Sequence, residues 1–271
     1  MPRPGIPLNF HQEIVEKYKF GESSLKLAKV YKCDPTTIQE LLKKYGVKVR
    51  NHKEMGKRYT VNESKFKTLN PESEYWAGFL FADGGVYPNY YTPSLVFTIG
   101  TKDIKSLELF KAFMEATNPI KTTLCTRGFM KESGGTSLSS IRIYNEEIVK
   151  DLGSLGLYGD RVPVPALAQS RHFWRGYVDG DGCISMRKDM LYHNLCGTPA
   201  TLELYKQFII SNGIDTTTKI KAGKGISYIS FSSRKAANII ALLYANPCEA
   251  LERKLNLAIR VTEYYGIDIR T

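Results

Sequence analysis

The sequence predicts an α+β protein in which one structural unit occurs twice, behind a small all-helical N-terminal domain. Three observations lead there. Residues 75–86 (YWAGFLFADGGV) and 173–184 (FWRGYVDGDGCI) are alike at an offset of 98. Each is followed, in the same order, by strand-like stretches and by near-identical helical segments at 107–113 and 202–208, the signature of an internal duplication. Positive charge is also unevenly spread. Residues 1–60 hold 13 Lys/Arg against 6 Asp/Glu, and the remainder hold 25 against 21, which sets a boundary near residue 60.

The N-terminal domain is expected over residues 1–46. Phe10, Ile14 and Tyr18 recur at a spacing of four, one face of a helix that Gly21 stops. Ser23 or Ser24 caps a second helix carrying Leu27, Ala28 and Tyr31. After the turn Lys32-Cys33-Asp34, Asp34 at the N-cap and Pro35 at the first helical position start a third helix. Ile38, Leu41, Leu42 and Tyr45 point inward, and Gly46 ends it. Two short helices joined by three turn residues resemble a helix-turn-helix, although Lys32 or Cys33 stands where glycine is usual. That resemblance would turn Thr36, Thr37, Gln39, Glu40 and Lys43 to the major groove. Residues 47–72 read as a basic linker, with Lys48, Arg50, Lys53, Lys57 and Arg58 as phosphate contacts.

The repeats are expected at 73–165 and 166–271, each with about four strands and three helices. In the first copy, 94–100, 119–127 and 137–144 alternate or run apolar with β-branched residues. Gly78 and Ala82, and likewise Gly176 and Gly180, lie four apart, so each motif helix has a smooth stripe along which another backbone can approach. If the copies pack through those stripes, Asp83 and Asp181 meet at two helix C-termini. Mutual repulsion and the negative helix ends make that arrangement costly without a cation, and a hard divalent ion with oxygen ligands suits it.

Composition limits the alternatives. The chain of 271 residues has 42% hydrophobic residues, enough for a core, and a net charge of +11, which points to a polyanionic partner. No apolar run approaches the roughly 20 residues of a membrane span, and no signal-peptide pattern opens the chain. A cytoplasmic, nucleoid-associated protein is expected. Five cysteines without a C-x-x-C pair argue against a disulfide framework or a structural zinc. Tyr75, Trp76, Phe173 and Trp174 read as core, and Cys183 as a small buried residue.

Trp76-Ala77-Gly78-Phe79-Leu80-Phe81-Ala82-Asp83-Gly84 and Trp174-Arg175-Gly176-Tyr177-Val178-Asp179-Gly180-Asp181-Gly182 resemble the nine-residue motif of the LAGLIDADG homing endonucleases, in their two-motif, single-chain form. The resemblance covers about residues 70–260. It implies two pseudosymmetric αββαββα repeats and cleavage of one phosphodiester on each strand of duplex DNA. It also implies a bound Mg²⁺ or Mn²⁺, with Asp83 and Asp181 as metal ligands beside Gly84 and Gly182. Curved sheets would lie in the major groove, and a basic residue beyond each sheet would stabilise the phosphate: Arg161 for the first copy and Lys254 for the second, with Arg142 and Lys235 as rivals. Lys121, Arg127 and Arg142 in the first copy, with Arg187, Lys188, Lys219, Lys221, Lys224 and Lys235 in the second, become DNA contacts. Phe81 departs from the acidic residue usual there, which Asp179 keeps. Arg161 replaces a more usual lysine, and its guanidinium stabilises charge without shuttling a proton.

Double-stranded DNA is thus the expected partner of a monomer, and no protein partner is implied. Two readings compete with the endonuclease: a non-cutting DNA-binding regulator and an RNA-splicing maturase on the same scaffold. A regulator has no need of the two aspartates, and a helix-turn-helix reads duplex DNA rather than RNA.

Overall fold

A computed structural model describes residues 6–50, 59–89, 92–126, 135–223 and 225–269. The chain divides into two compact units, Met1–Arg58 and Tyr59–Thr271.

In the first unit a short 3-10 turn, Leu8–Phe10, leads into helices His11–Lys19, Ser24–Val30 and Pro35–Lys44. Ser23 caps the second by accepting from the Lys26 backbone N–H. Asp34 caps the third, accepting from the Thr36 backbone N–H at 3.0 Å. Lys32 takes the left-handed conformation (φ 53°) that glycine usually supplies at such a turn. Ile14, Leu27, Ile38 and Leu42 form a fully buried core. Phe10 and Tyr45, both expected inside, lie at the surface. Their polar or edge contacts explain it, since Phe10 tilts against Tyr31 and the Tyr45 hydroxyl meets His11 Nδ1 at 3.2 Å.

The stretch expected as a linker is shorter than 47–72. Val47 and Val49 pack on the first unit's core. Phe66 is buried in the second, and Thr60 pairs with Thr117 there through backbone and side chain.

The second unit is built on two long helices that cross at its centre. The first motif helix, Pro71–Asp83, starts from a capping box in which Asn70 and Ser73 bond reciprocally. The second, Arg171–Asp181, starts from Ser170. Each runs directly into a four-stranded antiparallel sheet. In the first copy these are β1 (Gly84–Tyr87), β2 (Ser94–Gly100), β3 (Ile120–Cys125) and β4 (Thr136–Tyr144), in the order β1-β2-β4-β3. In the second they are β5 (Gly182–Arg187), β6 (Met190–Gly197), β7 (Lys221–Ala222) and β8 (Ser227–Ser232), in the matching order β5-β6-β8-β7. Helices Ile104–Phe113 and Glu146–Leu152 complete the first copy, and Pro199–Ser211 and Ser233–Tyr244 the second. A further helix, Glu252–Tyr264, follows.

The core explains the aromatic start of each motif. Trp76 packs against Phe79, Phe110 and Phe113, and Trp174 against Tyr177, Tyr205 and Phe208. Tyr75, Trp76, Phe173 and Trp174 are all at most 1% exposed, as the sequence suggests. Cys183 differs from expectation and is exposed, because Ile184 takes the inward position of β5 and strand alternation turns its neighbour outward.

Candidate active site

The small-residue stripes form the seam between the motif helices. A Cβ placed on Gly78 would lie 1.9 Å from the Phe173 carbonyl oxygen, and one on Gly176 would lie 2.0 Å from that of Tyr75. The backbones are therefore in direct contact, which only glycine permits. At the C-terminal end of the seam, a Cβ on Gly180 would lie 2.2 Å from Ala82 Cβ and 3.0 Å from Asp83 Oδ2. The Asp83 carboxylate thus lies across the seam, over the second motif helix and one residue from Asp181.

Both carboxylates are in an environment that disfavours charge. Partial desolvation by the surrounding protein, followed by the charge of Asp181, raises Asp83 to about 6. Desolvation raises Asp181 as well, against the pull of Arg161 and Lys254. Among the described residues neither accepts a hydrogen bond or makes an ion pair. Two adjacent carboxylates left without donors fit a divalent cation. Among the described residues no third His, Cys, Asp or Glu joins them in a ligand cluster, so water and phosphate oxygens would have to complete an octahedral shell.

Arg161 and Lys254 both reach this place, in equivalent roles. The Arg161 guanidinium donates to the carbonyls of Leu80 (3.0 Å), Phe81 (2.5 Å) and Gly84 (3.1 Å) at the end of the first motif helix. Lys254 Nζ donates to the carbonyls of Val178 (2.5 Å), Asp179 (2.8 Å) and Gly182 (2.6 Å) at the end of the second. Leu80, Phe81 and Gly84 correspond to Val178, Asp179 and Gly182 at the repeat offset of 98. Each cation therefore gathers the terminal carbonyls of one motif helix and opposes its negative end. Burial pushes Lys254 down to about 8, against the opposing charge of Asp179. The three protons of its ammonium match its three carbonyl bonds.

The carbonyls of Gly84 and Gly182, expected beside the aspartates as metal ligands, accept hydrogen bonds from Arg161 and Lys254. Gly84 and Gly182 owe their identity to space, since a Cβ on either would lie 2.6 Å and 2.5 Å from the carbonyl oxygens of Leu80 and Val178. The rivals do not share the clamp. Arg142 is on β4, two strands from β1, and Lys235 is in the first turn of helix Ser233–Tyr244.

Local structure brings the clamps in. Gly156 (φ 97°) turns the chain where a Cβ would lie 1.9 Å from the Val162 carbonyl, and Arg161 itself adopts φ 52°. Its own carbonyl accepts from Thr201 Oγ1 at 3.1 Å. On the other side Asp179, 1% exposed, accepts from the Tyr75 hydroxyl (2.9 Å), the Tyr244 hydroxyl (2.6 Å) and the Leu251 backbone N–H (2.7 Å). That last bond anchors the entry to helix Glu252–Tyr264, which carries Lys254. Where Asp179 has this role, the first copy has Phe81, packed edge-on against Phe173.

Two features escaped the sequence. Asp103, at the end of β2's connection, adds to the negative potential at Asp83 and is held bidentately by Arg253 at 2.9–3.2 Å. Tyr177 lines a cleft of about 570 Å³ with Asp181, Arg161, Phe81 and Ala82, and burial raises its phenol. No motif spacing connects any of these pairs.

The expected DNA contacts fall into three groups. Lys121 and Arg142 share the outward face of the first sheet, and Arg187 and Lys221 that of the second. Lys188, in the β5–β6 turn, and Lys219 are exposed. In the first unit Thr36 and Lys43 are exposed and Thr37 and Gln39 half-buried, while the Thr36 hydroxyl donates to Asp34. Lys48 is exposed. Arg50 is corrected: its guanidinium stacks on Tyr18 (4.1 Å) and donates to the carbonyls of Tyr18 and Glu22, so it closes the unit rather than reaching outward. Lys53, Lys57, Arg58, Arg127 and Lys224 lie outside the described residues.

No family model matches the sequence, and no curated protein is similar to it. Solved structures are. The homing endonuclease I-WcaI bound to its DNA recognition sequence matches with a TM-score of 0.51 at 13% identity, over 80% of this chain and 92% of that one. The LAGLIDADG meganuclease I-AabMI bound to uncleaved DNA matches at 0.48 and 12%, over 73% and 92%. The LAGLIDADG homing endonuclease I-GzeII in complex with its DNA target matches at 0.48 and 12%, over 73% and 89%. The chain shares the fold of the homing endonuclease I-WcaI.

Proposed function

We propose that this LAGLIDADG-fold chain is a site-specific endonuclease that hydrolyses one phosphodiester on each strand of duplex DNA with Mg²⁺ or Mn²⁺. The observation that carries the reading is the meeting of Asp83 and Asp181, with raised pKa values and without donors, at two helix ends clamped by cations. Nothing in a passive DNA-binding scaffold needs that costly pair. Asp83 and Asp181 would hold the metal, which supplies charge neutralisation at the scissile phosphate and a water of lowered pKa.

The chain's own residues prepare the site. Arg161 and Lys254 hold the helix ends, and so the aspartates, in place. Their charge also offsets part of the carboxylate repulsion and adds positive potential beside the phosphate. The outward sheet faces supply cations to the DNA backbone. The first unit, through Thr37, Gln39 and Lys43, would add duplex contacts as a helix-turn-helix does. Both carboxylates come from one chain, so a monomer carries a complete site. Among the described residues no helix is long and apolar enough to cross a membrane.

The test is linearisation of plasmid carrying the flanks of the gene's own insertion site. Cutting should require Mg²⁺ and disappear in Asp83→Asn and in Asp181→Asn while binding persists. A wild-type protein that binds those flanks in Mg²⁺ and never cuts them would instead be a regulator.

A further inference from the structure

Tyr177 carries a hydroxyl that packing does not explain. Its ring packs against Phe173 and Trp174, with centroids 6.2 Å and 5.9 Å apart, and the residue is only 5% exposed. The equivalent residue of the first copy, at the repeat offset of 98, is Phe79, which stacks on Trp76. A bare ring therefore suffices at this place in a motif helix. Among the described residues the Tyr177 hydroxyl has no hydrogen-bond partner. Space is nevertheless kept for it, since a Cβ on Gly197, the last residue of β6, would lie 2.8 Å from Tyr177 Oη. Gly197 and Tyr177 both line the cleft of about 570 Å³ that Asp181 and Arg161 share, which puts the hydroxyl at its wall. Tyr177 and Asp181 are four residues apart on the second motif helix, hence on one face.

A polar group that is nearly buried and has no protein partner calls for an acceptor from outside the chain. Burial, then the charge of Asp181, holds the phenol above its usual range, so it keeps its proton and donates. A hydroxyl and a guanidinium in one cleft are donors for an anionic oxygen. The Asp181 carboxylate in the same cleft admits an anion only once a cation offsets its charge. A phosphodiester oxygen that enters together with a divalent cation meets both conditions. We infer that Tyr177 is a further catalytic residue, whose hydroxyl donates to a non-bridging oxygen of the scissile phosphate on one strand only, because Phe79 offers the other strand no donor. The oxygen of water bonds to phosphorus, and the P–O bond to the departing deoxyribose oxygen breaks. Charge on the phosphoryl oxygens shifts as this happens, and a fixed donor there stabilises it. The attacking water loses its proton to solvent and the departing oxygen takes one from solvent, while Tyr177 gives up none. The inference rests on the DNA-cutting reading above.

The test compares the full chain with Tyr177→Phe, which keeps the ring. In Mg²⁺, single-turnover cutting of an end-labelled duplex carrying the insertion-site flanks should slow about 10- to 100-fold on one strand and hold on the other, with the Tm unchanged. A second readout needs no cutting. In Ca²⁺, which takes a larger and looser oxygen shell than Mg²⁺, affinity is measured for the same duplex with one linkage at a time replaced by methylphosphonate, whose methyl group removes a non-bridging oxygen. The loss at one linkage should be about 10-fold larger for wild type than for Tyr177→Phe, and equal elsewhere. Unchanged strand rates with equal losses at every linkage overturn the role of Tyr177 and leave the endonuclease reading standing. So does slowing of both strands alike with a lower Tm, which marks a packing role. Wild type that fails to cut those flanks in Mg²⁺ overturns both.

Discussion

Lys254 Nζ donates to the carbonyl of Gly182 at 2.6 Å, the counterpart in the second copy of the bond from Arg161 to Gly84. One helix end is thus held by a buried ammonium and its twin by a half-exposed guanidinium. Lys254→Met removes three charged hydrogen bonds at once and should lower stability by about 2–3 kcal/mol, with Arg161→Met costing less because water can replace it. Urea melts of the two variants give that order or refute it.

The same inequality predicts unequal strand cutting. Supercoiled plasmid should pass through a nicked intermediate, and labelled ends should show one strand leading. Arg161→Lys should narrow the gap. Identical top- and bottom-strand rates in both proteins would count against the clamps as the source.

The aspartates trade stability for chemistry. In the metal-free protein Asp83 titrates near 6, above the usual carboxylate value. Between about pH 4 and 6 the folded state therefore binds more protons than the unfolded one, and this group makes stability fall as pH rises. Asp83→Asn should raise the Tm of metal-free protein at pH 7.5 while abolishing cutting. Wild-type cutting should fall as pH drops through about 6, because the protonated acid cannot hold the metal. A pH-independent rate between 5 and 8 at fixed, subsaturating Mg²⁺ would contradict this.

The seam tolerates no added atom. Gly78→Ala or Gly176→Ala puts a Cβ within 2.0 Å of a carbonyl oxygen and should cost at least about 3 kcal/mol, read as a lower urea midpoint. Gly213→Ala, where nothing lies within 4 Å although φ is 79°, should cost only about 1 kcal/mol.

Removing residues 1–58 takes away much of the positive surplus. The shortened chain should bind DNA more weakly with a flatter dependence of log K on log salt, and still cut at high protein concentration. Loss of cutting at every concentration would show that the first unit is needed for chemistry.

Much of this was legible because the duplication carries its own control. Gly78 against Gly176 and Asp83 against Asp181 are meaningful as pairs, and the helix caps Ser23, Asp34 and Gly46 are local signals that packing did not override. The clamps were legible as basic residues after each copy, but not their targets, since Arg161 and Leu80 meet only through the turn at Gly156. Arg50 was misread because its composition context is a basic run, while its partner Tyr18 is three helices earlier. Asp103 with Arg253 is a contact between repeats, set by how the copies dock, and neither alternation nor helical spacing encodes it.

The meeting of Ala82 with Gly180 has a further consequence. A Cβ at Gly180 would sit 2.2 Å from that of Ala82, so two first copies brought together in place of the natural pair would set alanine against alanine and clash. Two first copies therefore cannot pair through this seam as it stands, and the close approach of the motif helices depends on an alanine of one copy meeting a glycine of the other.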